Sequence, residues 1–239
     1  LTMIKPIVHA IAPIVHTQHP ITLVGGGQAT PDDLHKSLML APLCVAADGG
    51  AALAVRAGVD LAAVIGDFDS INPDILAQVP PARQHHIAEQ DSTDFEKALL
   101  RIDAPLILGV GFCGARVDHQ LAAFHTLVKF AHQPCVLLAE DELIFVAPPD
   151  ITLPSTAGET ISLFPLARVT GRSTGLHWPI DGLAFRPGYQ TGTSNRATGP
   201  VRIQMDGPGM LMIAPTRLIQ QVVQQLSQRT NARWPVRAE

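Results

Sequence analysis

Two stretches, Leu43-Cys44-Val45-Ala46-Ala47-Asp48-Gly49-Gly50 and Leu61-Ala62-Ala63-Val64-Ile65-Gly66-Asp67-Phe68-Asp69-Ser70, decide the fold. Each is an unbroken apolar run of strand length that ends in an acidic turn with glycine. Strands without polar alternation are buried on both faces, which calls for a parallel sheet covered by helices. Outward from this pair the pattern repeats: ITLVG (21–25), PLILGV (105–110), CVLLAE (135–140) and ELIFVA (142–147) are apolar runs. Between them lie helical patterns such as PDDLHKSLML (31–40), STDFEKALLRI (92–102) and VDHQLAAFHTLVKFA (117–131). The alternation predicts an α/β fold, an N-terminal Rossmann-like α/β domain with a largely parallel sheet. In such sheets ligands bind beyond the carboxyl ends of the strands, so the turns after strands are the candidate sites.

After Pro148-Pro149 the character changes to brief strands, TISLFPL (160–166), VRIQM (201–205) and MLMIA (210–214), separated by Gly, Pro, Ser and Thr. These predict a small C-terminal antiparallel β-sandwich. A helix from Thr216 to about Gln228 follows, with Leu218, Ile219, Val222, Val223 and Leu226 on one stripe. The expected division is a loose arm over 1–19, a catalytic domain over 20–148, and a β-sandwich over 149–239 that carries the C-terminal helix and a frayed tail.

The 239 residues are 46% hydrophobic and 16% charged, enough apolar material for a sizeable core, which excludes disordered and disulfide-scaffold classes. Cys44, Cys113 and Cys135 are odd in number and widely spaced, so neither a disulfide framework nor a zinc knuckle is expected, and a reducing, cytoplasmic setting fits best. A net charge of −4 provides no basic footprint, so nucleic acid is not the expected partner. The charge is uneven. Residues 1–150 hold 17 acidic and 8 basic side chains, against 4 and 9 in residues 151–239. No apolar run reaches the roughly 18 residues that span a bilayer, and Ile7–Val15, broken by His9 and Pro13, mimics a signal peptide only faintly.

Asp67 and Asp69 stand two apart after a buried strand, so in extended geometry both carboxylates face one way and suit Mg²⁺, which leaves other positions to phosphate oxygens. An isolated DxD is equally an Asx turn before a helix. In Gln90-Asp91-Ser92-Thr93-Asp94-Phe95-Glu96-Lys97, Thr93 and Glu96 spell a capping box. Asp94 then sits in the first helical turn, and Lys97, one of four lysines, is placed to meet a phosphate. Asp48 is either a ligand-facing acid or a helix cap. Arg116 suits bidentate phosphate contact and Asp118 an amine or hydroxyl, unless the two simply pair across their turn. Trp178 offers a face to a flat or cationic ligand or else fills the core, and Thr193-Ser194-Asn195 supplies small polar groups.

In this order ADGGA (47–51), GDFDS (66–70), DSTDFEKAL (91–99), GARVDH (114–119), GLHWP (175–179) and TSN (193–195) resemble the thiamin pyrophosphokinase family, over about residues 21–215. The resemblance implies an α/β domain followed by a β-sandwich, in a homodimer with active sites shared between subunits. The implied reaction moves pyrophosphate from Mg-ATP to the hydroxyl of thiamin, releasing AMP. It implies Asp67, Asp69 and Asp94 as metal ligands, and Asp69, Asp94, Gln90 and Asp118 as catalytic residues. Asp48, Thr93, Lys97 and Arg116 would bind ATP phosphates; Trp178, Ser194, Asn195 and Asp118 would bind thiamin. Ala115 departs from the family, which usually shows a second glycine there. Two alternatives stand beside it: a thiamin or nucleotide sensor without turnover, and a Mg-dependent phosphatase of haloacid-dehalogenase type, which would need a further acidic pair downstream.

Overall fold

The computed structural model describes residues 11–228 and 233–236. The first ten residues of the expected arm, which include the start of the signal-like segment, lie outside that range, as does most of the tail.

The large sheet has nine strands in the order Ser162–Pro165, Met210–Pro215, Glu142–Val146, Cys135–Leu138, Ile107–Val110, Ile21–Val24, Leu43–Ala47, Ala63–Gly66, Gln84–His86. From Cys135–Leu138 to Gln84–His86 every neighbour is parallel. The chain moves outward from Ile21–Val24 to Gln84–His86, then returns to the other side of Ile21–Val24 as Ile107–Val110. The order therefore reverses between these two central strands, and the crevice beyond their carboxyl ends is where an open α/β sheet offers a ligand site.

The strand pleat divides the sheet's side chains between opposite layers. In Leu43–Ala47, Val45 and Ala47 pack with Phe95, Ala98 and Leu127 on one face. Cys44 and Ala46 pack with Leu34, Ala51 and Leu53 on the other. Helices Pro31–Leu38 and Ala51–Arg56 cover the second face, while Asp94–Leu99 and Val117–Lys129 cover the first. All three cysteines are free and buried, with burial pushing the thiols of Cys44 and Cys113 up to about 12 and about 11. Thiols held so far from ionisation are inert core residues.

The mixed α/β expectation holds, but two of the C-terminal strands join the large sheet, and the remaining four form a sheet of their own. Met210–Pro215 pairs antiparallel with Glu142–Val146, and Ser162–Pro165 adds to its far side, so both extend the large sheet. The second sheet has four antiparallel strands in the order Asp150–Leu153, Ala197–Met205, Val169–Leu176, Ala184–Phe185. Its inner side chains Ile151, Val169, Val201 and Ile203 share one core with Leu108, Val136, Phe145 and Met212 of the large sheet. Val222 and Leu226 of helix Ile219–Ser227 close that core, matching the expected apolar stripe.

The ends are tied down where they are described. Val15–His16 pairs parallel with Ile102–Asp103, and Val15 is buried, so this part of the expected loose arm is docked. In the tail, the Trp234 indole donates to the carbonyl of Ala147 at 2.9 Å, which corrects the expectation of fraying for that residue. Gln225 blunts the edge strand: its amide accepts from Thr152 N at 3.1 Å and donates to Thr152 O at 2.5 Å, in place of a neighbouring strand. Gln225→Ala should therefore cost about 1 kcal/mol, as expected for exposed hydrogen bonds that water partly replaces, measurable by urea unfolding.

Candidate active site

A cleft of about 600 Å³ opens at the sheet's switch point. Its walls come from four strand-end loops: Gly25–Gly27, Asp48–Gly49, Asp67–Ser70 and Gly111–Arg116, completed by Gln90 and the helix beginning at Asp94. The two central loops interlock through Gly27 N donating to Gly111 O at 2.7 Å. Gly111 has φ +79°, and a Cβ there would lie 2.5 Å from the carbonyl oxygen of Gly25, so only glycine fits.

Asp48, Asp67 and Asp94 each bring a carboxylate oxygen within 4.8 Å of the others. Asp48 is held in the left-handed region at φ +40°, a strained setting for aspartate. Gly66 makes this placement possible, because a Cβ at 66 would sit 2.7 Å from Asp48 Cβ. The bare backbone of Gly66 thus accommodates Asp48. Asp48 Oδ2 accepts from Ser70 N at 3.1 Å, while Oδ1, buried, has no hydrogen-bond partner among the described residues.

Asp67 is the hub. Its Oδ2 accepts from Lys97 Nζ at 2.6 Å and from Gln90 Nε2 at 3.1 Å, and its Oδ1 accepts from Asp69 N at 3.2 Å. Lys97 is 1% exposed and also donates to Asp94 Oδ1 at 3.2 Å. The Lys97 hydrogen bond holds the Asp67 carboxyl below its ordinary range. Burial pushes Asp48 and Asp94 up, against the backbone donors of one and the Lys97 bond of the other. Burial alone would depress Lys97, but its two carboxylate partners outweigh that and raise it. Asp48 and Asp94 bind protons more tightly folded than unfolded, so their contribution to stability is present at low pH and lost as pH rises through their elevated values. Asp67 acts in the opposite sense, losing its contribution as pH falls.

Asp69 lines the same cleft but is exposed, accepting from the Ser70 hydroxyl at 2.8 Å. Thr93 caps the helix, its hydroxyl accepting from Glu96 N at 3.3 Å. The reciprocal half of the expected capping box is not seen: the Glu96 carboxylate pairs with Lys129. Arg116 and Asp118 do pair across their turn, at 2.6 and 3.2 Å, with both side chains about two-thirds exposed. Arg116 lines the cleft. Its neighbour Ala115 takes φ +57°, the conformation for which glycine is usual. His119, Phe95 and Phe112 also line the cleft, the two phenyl rings 4.3 Å apart, and the sequence reading named none of them as site residues.

Trp178, Ser194 and Asn195 form a separate group, away from the cleft's lining. Asn195 is buried and clamps the Trp178 backbone, accepting from Trp178 N at 3.1 Å and donating to Trp178 O at 2.7 Å. Ser194 has φ +58°, and its N–H donates to Ser162 Oγ at 2.9 Å. The Trp178 ring is 56% exposed and meets His177 edge-on, so it does not fill the core.

The site is therefore an acidic cleft at the switch point of a mixed α/β sheet, with an aromatic group displayed elsewhere on the same chain. Residues 34–138 match the family model for the thiamin pyrophosphokinase catalytic domain. Among curated proteins, thiamine pyrophosphokinases 1 and 3 of Oryza sativa subsp. japonica are 30% and 28% identical over 149 residues, covering 54% of this chain and 56% of each relative. The chain thus matches a little over half the length of these relatives. The crystal structure of thiamin pyrophosphokinase from Geobacillus thermodenitrificans superposes with TM-score 0.68 at 26% identity, covering 82% of this chain and 96% of that one. The enzyme from Candida albicans shares the fold with TM-score 0.71 at 18% identity, over 83% and 89% of the two chains. All three comparisons find similarity to thiamin pyrophosphokinases, the family whose six motifs this sequence resembles.

Proposed function

We propose that this chain is a thiamin pyrophosphokinase, transferring pyrophosphate from ATP to thiamin to give thiamin diphosphate and AMP. The observation that carries the reading is the Asp48, Asp67 and Asp94 cluster, with the orphaned Asp48 Oδ1, lining a cleft with room for a nucleotide. A buried carboxylate oxygen without a donor, among other carboxylates, fits a hard divalent cation such as Mg²⁺. Asp48, Asp67 and Asp94 would hold it, with Asp69 beside them. Once bound, Mg²⁺ would neutralise phosphate charge and orient the transferring group.

The thiamin hydroxyl oxygen forms a bond to the β-phosphorus in line with the bond that breaks, and AMP leaves with the bridging oxygen. Arg116 faces the phosphates from the glycine loop, where a guanidinium binds oxygens bidentately. Gln90 and Thr93 present polar groups from the opposite wall. Asp94, at the start of its helix, would hold the cation on the side of the cleft that faces the phosphates. The Arg116 hydrogen bond holds the Asp118 carboxyl below its ordinary range, which suits orienting thiamin and Arg116 better than accepting a proton. The hydroxyl proton then passes to water. Positioning and preorganised charge supply most of the rate.

Residues 20–148 carry the catalytic cleft and 149–239 the thiamin face. In one chain the cleft and the group of Trp178, Ser194 and Asn195 are not brought together, which favours a homodimer whose sites are completed by the partner subunit. The acidic first part and basic second part favour such an arrangement. Among the described residues no helix is long and apolar enough to cross a membrane, and the proposed setting is cytoplasmic.

Thiamin-dependent release of AMP from Mg-ATP, followed by chromatography for thiamin diphosphate, tests the proposal; binding without product would favour a sensor. Trp178→Ala should raise the KM for thiamin about tenfold, the worth of a cation–π contact with the thiazolium, and leave the KM for ATP unchanged. Steady-state kinetics on both substrates would read this.

A further inference from the structure

The sequence places Lys97 at a phosphate, but its geometry gives it different work. Nζ is buried at the floor of the cleft and spends hydrogen bonds on Asp67 and Asp94, while Gln90 fixes the same Asp67 oxygen. Two of the three clustered carboxylates are thereby turned to a set orientation by groups of the chain itself. The third, Asp48, keeps one buried oxygen without a donor. We infer that Lys97 is a positioning residue, a built-in counter-cation that holds Asp67 and Asp94 in register before a divalent cation arrives and lowers the cluster's affinity for that cation in the absence of nucleotide. The inference rests on reading the acidic cluster as a cation site.

The physical argument is one of charge at short range. With Lys97 the three carboxylates carry one compensating charge; without it they repel one another and attract a dication more strongly. A site loaded by the cation alone would be occupied at all times, whereas a partly neutralised one draws its cation together with the polyphosphate. Lys97 thus couples cation entry to nucleotide entry without touching the nucleotide.

The test is Mn²⁺ binding to nucleotide-free protein, read by the loss of free-ion EPR signal, for the wild type, Lys97→Met and Lys97→Arg. Lys97→Met should bind Mn²⁺ at least about tenfold more tightly, because a charge is removed within a few ångströms of the ion, and Lys97→Arg should return the affinity to near the wild-type value. Unchanged or weaker Mn²⁺ binding by Lys97→Met, with a raised KM for ATP, would overturn the inference and restore the phosphate role. Should Lys97→Met not fold, ¹⁵N-lysine NMR of the wild type decides. The Lys97 ammonium signal should persist without ligand, stay in place with metal-free ATP and shift when Mg²⁺ is added together with ATP. A shift with metal-free ATP would overturn the inference. Failure of the wild type to take up Mn²⁺ even with ATP would instead contradict the cation reading on which the inference rests.

Discussion

Asp67→Ala should lower turnover about 10³-fold and also destabilise the protein. Asp67 Oδ2 is the nearest partner of a lysine that is 1% exposed, so its removal leaves a buried ammonium with Asp94 alone. Breaking a buried ion pair by deleting one member costs about 3–5 kcal/mol, and the surviving Asp94 contact places this case near about 3 kcal/mol. The loss of a cation ligand removes several kcal/mol of charge stabilisation, which at about 1.4 kcal/mol per tenfold is a fall of about 10³ in turnover. Urea unfolding and AMP release on the same preparation separate the two effects. Wild-type stability would contradict the description of Asp67 as the hub of the cluster.

Asp69→Asn should behave differently, although Asp69 lies two residues away. Its carboxylate is exposed, and the partner its side chain binds is the Ser70 hydroxyl, a bond that an asparagine carbonyl also accepts. Stability should stay within about 0.5 kcal/mol of the wild type, as for surface substitutions generally. Turnover should nevertheless fall about 100-fold, the scale on which groups beside a metal set its affinity and activity. Full turnover by a pure, folded Asp69→Asn protein would remove Asp69 from the cation site and leave Asp48, Asp67 and Asp94 to hold it alone.

What the sequence could reveal follows from how local each signal is. Leu43–Ala47 was legible to the residue because burial on both faces leaves an unbroken apolar run. The helix Val117–Lys129 was legible because its apolar spacing is long. The strand Val169–Leu176 was not, since Thr170, Arg172 and Thr174 face outward, the inward positions Gly171 and Ser173 carry no apolar bulk, and a register shift between Thr174 and Leu176 breaks the alternation. That Met210–Pro215 joins the large sheet depends on its partner, Glu142–Val146, which lies about 70 residues away in sequence, and no local pattern names such a partner.

The site divides in the same way. The motifs marked Asp48, Asp67, Asp69, Gln90, Thr93, Asp94, Lys97 and Arg116, and all line one cleft. Their individual partners were hidden. Lys97 reads as a phosphate ligand until burial turns its ammonium toward Asp67. The closeness of Asp48 to Asp67 and Asp94 depends on a left-handed backbone that only the missing side chain of Gly66 permits. Asn195 reads as a ligand for thiamin, yet its amide is committed to the backbone of Trp178, so its contribution to any thiamin site is to hold the Trp178 loop.

The central claim is attack on the β-phosphorus, and the position of a label tests it most directly. With ATP labelled at the γ-phosphate, thiamin and Mg²⁺, the label should appear in thiamin diphosphate while unlabelled AMP accumulates in equal amount. Label in thiamin monophosphate with ADP as the other product would mean attack on the γ-phosphorus and would contradict the account.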